Sequence, residues 1–319
     1  MFLGDWMRVA VIGVGNMGYH HARIYSEFAK EGKVELVGVS DANAYRAKEV
    51  AEKFGTRAFK DYRELLGFVD AVSIAVPTPL HYEVAMDFIK AGVHVLVEKP
   101  IADSVEKAEE MIREAEKNGV FLMVGHVERF NPAVLKLKEL ISAGELGEVI
   151  TMSAKRVGPF NPNFSNTNVI LDLAVHDIDV MSFLIDSKVR EVYARARKIY
   201  GKADDYSLIM LSFENKVDGI VETNRLTPYK FRTLSIVSSK GALQLDYIEQ
   251  KLLEYTMEKK REIEVERKEP LKLEIQNFIE SVLKDKKPLV DGYTGLRALI
   301  VAFKAMESSK KNEVVRVES

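Results

Sequence analysis

The chain has no cysteine, which rules out disulfides, thiolate nucleophiles and metal sites built on thiolates. No apolar run approaches the roughly 20 residues that a membrane-spanning helix needs. Neither charge is in excess: 46 Lys and Arg stand against 48 Asp and Glu, for a formal net charge of −2. Basic clusters such as Lys259-Lys260-Arg261 are interrupted by glutamates, so no one-sided basic surface for nucleic acid is expected. The first residues include Asp5 and lack the basic-then-apolar order of a secretory signal, and Met7 stands directly before the first strand. A cytoplasmic protein, with no membrane partner, is the expectation. What is present is 319 residues, 47% of them hydrophobic, enough for two domains with separate cores.

Up to about residue 126, short apolar runs alternate with amphipathic stretches. Residues 8–12, 34–40, 71–76, 94–98 and 121–124 read as strands. Residues 105–118 carry Val105, Ala108, Met111, Ile112 and Ala115 on one helical face, with Asp103 or Ser104 as cap and Gly119 as stop. Such alternation implies a parallel, doubly wound sheet. The pattern then changes. Helices are expected over 131–143, 169–185, 272–283 and 295–309, and strands over 149–157, 189–199, 206–214, 219–225 and 233–238. Successive strands without helices between them point to antiparallel pairing. The fold class is α/β: a Rossmann dinucleotide-binding domain over residues 1–126, then an α+β substrate and oligomerisation domain over 127–319. The second domain should hold a large, mostly antiparallel, open-faced sheet.

The strand at 8–12 runs into Gly13-Val14-Gly15-Asn16-Met17-Gly18, and a helical stretch follows. A G-x-G-x-x-G loop between strand and helix lets backbone N–H groups and the helix N-terminus approach a pyrophosphate. Gly13, Gly15, Asn16, Met17 and Gly18 are therefore candidate cofactor contacts. Asp41 ends the second strand, where a carboxylate can accept bonds from the adenosine ribose and repel a 2′-phosphate. NAD is the expected cofactor; Arg46 nearby keeps NADP as the alternative.

Three further segments give the chain a family resemblance. They are Ala75-Val76-Pro77-Thr78-Pro79-Leu80-His81, Val97-Glu98-Lys99-Pro100, and Leu171-Asp172-Leu173-Ala174-Val175-His176-Asp177-Ile178-Asp179. In that order and spacing they resemble the glucose–fructose oxidoreductase/inositol dehydrogenase (Gfo/Idh/MocA) family over nearly the whole chain. The resemblance implies that Pro77, Thr78, His81, Glu98 and Lys99 border the nicotinamide end of the cofactor, and that Lys99 sits where hydride moves. It also implies catalytic Asp172 and His176. The residue types fit, because alcohol oxidation needs a base within reach of the hydroxyl proton. Residues four apart share a helix face, histidine as a residue type titrates near neutrality, and a lysine cation steadies a developing oxyanion. His176 is assigned as base, Lys99 as electrostatic partner and proton relay, and Asp172 as substrate or histidine orienter; whether lysine or histidine takes the proton first stays open. The chain departs from many family members at Val169, Ile170 and Ala174, where glycines often stand.

Gly125 to Pro132, with Arg129-Phe130-Asn131-Pro132, is similar to a stretch in family members acting on nucleotide-linked acetamido sugars. That resemblance implies oxidation of the 3-hydroxyl of UDP-N-acetylglucosamine or a relative, with His126, Arg129, Arg156 and Asn168 as candidate substrate contacts and Lys155 as the strand alternative to Arg156. A free sugar or polyol is the second reading, and a non-catalytic dinucleotide sensor is a reading of another class. His20 and His21 read as helix surface, His94 as structural, and no histidine pair has zinc spacing, so no metal is assigned. Outward positions of the second sheet, including Val192, Leu208, Met210, Ile220 and Leu234, suggest a homodimer or homotetramer.

Overall fold

A computed structural model describes residues 6–317. The signal reading above concerns residues that lie partly outside this range. The chain divides into two compact units, one of residues Met1–His126 with Leu271–Leu296, the other of Val127–Pro270 with Arg297–Ser319.

In the first unit, six strands form one parallel sheet: β1 (Met7–Ile12), β2 (Val34–Ser40), β3 (Arg57–Phe59), β4 (Ala71–Ile74), β5 (His94–Glu98) and β6 (Leu122–Gly125). Their order is β3-β2-β1-β4-β5-β6, the doubly wound arrangement in which a ligand site forms beyond the strand ends where the order reverses, here beside β1 and β4. The central strands β1, β4, β5 and β6 are largely apolar and buried, as helices on both faces of a parallel sheet require. The connecting helices are α1 (Asn16–Lys30), α2 (Ala44–Phe54), α3 (His81–Lys90) and α4 (Val105–Lys117). Ser104 is the cap of α4, its hydroxyl accepting from the Lys107 N–H at 3.3 Å, which satisfies one orphan donor of the first turn.

The sequence assigned everything after residue 126 to the second domain. Instead, residues 271–296 group with the first unit. Helix α7, after α5 (Pro132–Ser142) and α6 (Val175–Ile185), spans Pro270–Lys284 and buries Leu271, Ile275, Phe278, Ile279 and Val282 on one stripe. Beyond it, Val290 O accepts from the Val124 N–H of β6 at 3.0 Å. Gly295 lies so close to β6 that a Cβ would stand 2.6 Å from Val124. The final helix, α8 (Gly292–Lys311), has residues in both units.

Among the described residues the second unit is built on nine strands: β7 (Val149–Val157), β8 (Val189–Arg197), β9 (Tyr206–Phe213), β10 (Asp218–Asn224), β11 (Phe231–Ser238), β12 (Gly241–Asp246), β13 (Lys251–Tyr255), β14 (Lys260–Ile263) and β15 (Val315–Arg316). Within this sheet, only β7 and β10 pair in parallel among the described residues. The sequence did not anticipate β12 to β15. Strand β14 reads Lys-Arg-Glu-Ile and offers no apolar alternation, because an exposed edge is protected by charge. One face of the sheet packs on α5 and α6 around Ile178, Met181, Leu211 and Leu234. The other face presents Leu208, Met210 and Ile220, which are 38%, 54% and 38% exposed. Val192 and Leu234, expected on that outer face, belong to the core. A register shift in β8 between Val189 and Glu191 sets the parity there, and a one-residue slip exchanges the two faces. Among the described residues no helix is long and apolar enough to cross a membrane.

Candidate active site

The glycine loop sits at the carboxyl end of β1. Gly13 has φ of +81°, and a Cβ there would stand 2.8 Å from the Ala75 carbonyl carbon. Gly18 is tighter still, since its Cβ would lie 1.7 Å from Gly13 O. Both glycines are required by the protein itself. Gly15 is different: a Cβ would meet nothing within 4 Å, so the missing side chain leaves room for something that approaches from outside. It precedes α1, whose first turn has no side-chain cap. Free N–H groups and the positive end of the helix dipole suit a diphosphate there. Asn16 is exposed and Met17 half-buried beside it.

Asp41 holds this loop. Its Oδ2 accepts from the Val14 N–H at 2.9 Å and its Oδ1 from the Asn43 N–H at 2.9 Å. Each oxygen keeps a lone pair for a further donor. Arg46 donates to Val14 O at 3.0 Å and to Glu49 at 2.9 Å.

After β4 the chain passes through Pro77 and Thr78 into a short 3-10 turn, Thr78–Leu80, and then α3. His81 has both ring nitrogens on backbone carbonyls, Nδ1 on Pro100 O and Nε2 on Val76 O, each at 2.9 Å. Burial lowers its pKa against the pull of those two carbonyls. The ring thus staples the exit of β4 to the loop after Lys99. Glu98 turns into the interior of the first unit. Its Oε1 meets His21 Nε2 at 3.1 Å, and its Oε2 accepts from the Lys99 N–H at 3.2 Å. His21, expected on the helix surface, is 1% exposed. Lys99 is half-buried at the end of β5. His94 is structural, its Nδ1 accepting from the Phe121 N–H at 3.0 Å. His126 is buried.

In the second unit, Asp172 lies in a π-helical turn, Ile170–Ala174, that leads into α6. Such turns recur at functional sites because they re-aim a side chain without ending the helix. Arg225, which the sequence reading missed, donates to Asp172 Oδ2 at 2.5 Å and to Thr167 O at 2.8 Å. It fixes the carboxylate and the preceding loop together. Asn168 accepts from the Ile170 N–H at 2.9 Å and donates to Asp204 at 3.0 Å, so its polar atoms serve the turn. His176, in the first turn of α6, is half-buried like Asp172.

The arginines proposed for substrate belong to the scaffold. Arg156 is 2% exposed, donates to Asp177 at 2.7 and 3.1 Å and to Glu128 at 2.7 Å, and covers the Tyr247 ring. Burial opposes its charge, but Asp177 and Glu128 outweigh that and hold it protonated. Arg129 forms a two-bond fork with Asp179 at 2.7 and 2.8 Å. Asn131 caps α5 by accepting from the Ala133 N–H at 3.1 Å. Lys155 faces the other way and is more exposed, as strand alternation demands. The π-turn and α6 together thus present an acidic buried side clamped by arginines and a half-open side with Asp172 and His176.

Comparison with known proteins supplies the family. The description "Oxidoreductase family, NAD-binding Rossmann fold" matches residues 7–126, and "GFO/IDH/MocA C-terminal domain" matches residues 134–244. A UDP-N-acetylglucosamine 3-dehydrogenase of Acidithiobacillus ferrooxidans is 30% identical, with 93% of this chain and 95% of that protein covered. Its crystal structure superposes with a TM-score of 0.89 over 96% of this chain and 98% of that one. A myo-inositol 2-dehydrogenase of Thermotoga maritima is 28% identical, covering 98% of this chain and 99% of that protein. The chain belongs to the GFO/IDH/MocA oxidoreductase family. It is an NAD-dependent dehydrogenase, with an NAD-binding Rossmann domain at its N-terminus.

Proposed function

We propose that the protein oxidises a secondary hydroxyl of a nucleotide-linked acetamido sugar, best matched by the 3-hydroxyl of UDP-N-acetylglucosamine. The observation that carries the chemistry is the pairing of Asp172 with Arg225 on the π-turn, which holds a carboxylate fixed one helical step before His176. NAD, when bound at the glycine loop, supplies the hydride acceptor. His176 takes the hydroxyl proton as general base. Lys99 stabilises the alkoxide charge and relays the proton onward. Asp172 orients substrate or histidine. Asp41 supports NAD over NADP, since its carboxylate opposes a 2′-phosphate while Arg46 is engaged by Val14 and Glu49.

The nucleotide sugar is supported by the Acidithiobacillus relative. The inositol dehydrogenase relative, matched over a larger share of this chain, supports a second reading in which the substrate is a free polyol. The outer sheet face carrying Leu208, Met210 and Ile220 supports assembly of identical subunits through that sheet; light scattering should show a dimer or tetramer, and a monomer would refute it.

The test is mass spectrometry of products from UDP-N-acetylglucosamine, its uronate, myo-inositol and glucose, each with NAD and with or without 2-oxoglutarate as a recycling acceptor. A UDP-sugar lighter by about two mass units, lost in Lys99→Ala and His176→Ala, is the expected result. Oxidation of myo-inositol alone would replace the substrate, and no oxidation of any would overturn the reading.

A further inference from the structure

Behind Lys99, the first unit holds a cluster of ionisable groups that the chemistry above does not use. His21 comes from α1, Glu98 from the end of β5 and Glu274 from α7. One oxygen of each carboxyl and one ring nitrogen of the histidine lie within 4.8 Å of one another. Their exposures are 1%, 9% and 0%, so water does not solvate them. Glu98 is well supplied with donors, from His21 and from the Lys99 backbone. Glu274 has none: among the described residues neither of its oxygens has a hydrogen-bond partner, and neither has His21 Nδ1.

A carboxylate ion in that position would be a buried, unpaired charge, among the least favourable arrangements a protein interior can hold. A neutral acid needs only one acceptor, and Glu98 is the acceptor at hand. Burial, and then the negative charge of Glu98, drive the Glu274 pKa well above the ordinary carboxyl range. Burial also opposes the charge of Glu98, but the bond and charge of His21 and the charge of Lys99 outweigh it and lower its pKa. The two carboxyls are thereby pushed apart, one to the acid and one to the carboxylate. The other groups facing them do not change this assignment. Tyr25 of α1 spends its hydroxyl on Ser73 at 2.9 Å, and His81 of α3 adds favourable charge toward Glu98.

We propose that Glu274 is a neutral carboxylic acid that donates to Glu98, directly or through one bridging water, and that this pair with His21 positions Lys99. The chain of contacts joins α7, β5 and α1, so it ties the lysine to the helix whose N-terminus receives the cofactor. The protonation stands independently, whereas the value of holding Lys99 rests on the function proposed above.

Infrared difference spectroscopy of the whole protein at pH 8, native against Glu274→Gln, reads the proton with no substrate. The expected result is the loss of one protonated-carboxyl band; absence of such a band overturns the proposal. Positioning is read from NAD affinity against pH for Glu274→Gln, which keeps a donor, and Glu274→Met, which does not. The Met variant should lose NAD on acidification about one pH unit earlier than the native protein, and Gln should restore the native profile. Coincident Met and native profiles would show that Glu274 only fills space. One equivalent of manganese or zinc bound by the native protein and lost in Glu274→Gln would also overturn it, by replacing the proton with a cation.

Discussion

The first unit buries Glu98 and Glu274 around His21, whereas the second buries Glu128, Asp177 and Asp179 against Arg129 and Arg156. Both arrangements neutralise carboxyl groups withdrawn from water, but with different counter-charges. A guanidinium is charged at every pH a protein survives and binds through a rigid fork. The second unit's cluster is therefore a fixed brace, and it sets the buried side of the helix that offers Asp172 and His176. A proton is a reversible counter-charge. The first unit's cluster responds to pH, and it lies directly behind Lys99.

The largest break in this contrast should come from Arg156→Met. Removing the cation leaves Asp177 and Glu128 buried without their main partner, at a cost of about 3–5 kcal/mol. Denaturant unfolding measures it, and a loss well under 1 kcal/mol would mean that the brace contributes little beyond its packing.

Glu274→Gln should act in the opposite direction and depend on pH. The unfolded chain releases the Glu274 proton near pH 4.3, while the folded chain retains it, because its pKa is raised. The folded state then binds more protons, so native stability falls as pH rises above that value, by up to about 1.4 kcal/mol per unit until the folded group titrates. The glutamine variant escapes this loss. Its advantage in thermal unfolding should grow from pH 5 to pH 8, and a difference independent of pH would contradict a retained proton.

Arg225→Lys should give the smallest effect in energy and a visible one in rate. A lysine cannot hold Asp172 and the Thr167 carbonyl together, as the guanidinium does. Turnover should fall about tenfold, equivalent to about 1.4 kcal/mol, with little change in melting temperature. Unchanged turnover would remove Asp172 from the reacting geometry.

The parts legible in the sequence are those whose constraints are local. Gly13, Gly15 and Gly18 sit within one turn, and the space around each follows from the strand and helix they join. The alternation of strand and helix likewise exposes the parallel sheet. Strand β14 and the π-turn at Asp172 give no comparable periodic signal. Arg156 and Lys155 could not be told apart by alternation alone, since parity does not say which face is the core. His21 and Glu274 meet only through the folded sheet, at positions far apart in the chain. Arg129 matched a motif read as substrate-binding, yet its neighbour is Asp179, because a buried arginine satisfies the nearest carboxylate whatever the motif suggests.

The central claim is that hydride leaves a sugar carbon for NAD on this protein. UDP-N-acetylglucosamine carrying deuterium at C3, incubated with the protein and NAD, tests it by mass spectrometry of the nucleotide released after denaturation. Deuterium on the reduced nicotinamide, absent with His176→Ala, is the predicted result. Label that stays on the sugar, with no reduced nicotinamide formed, would contradict the claim for this substrate and return the choice to the polyol.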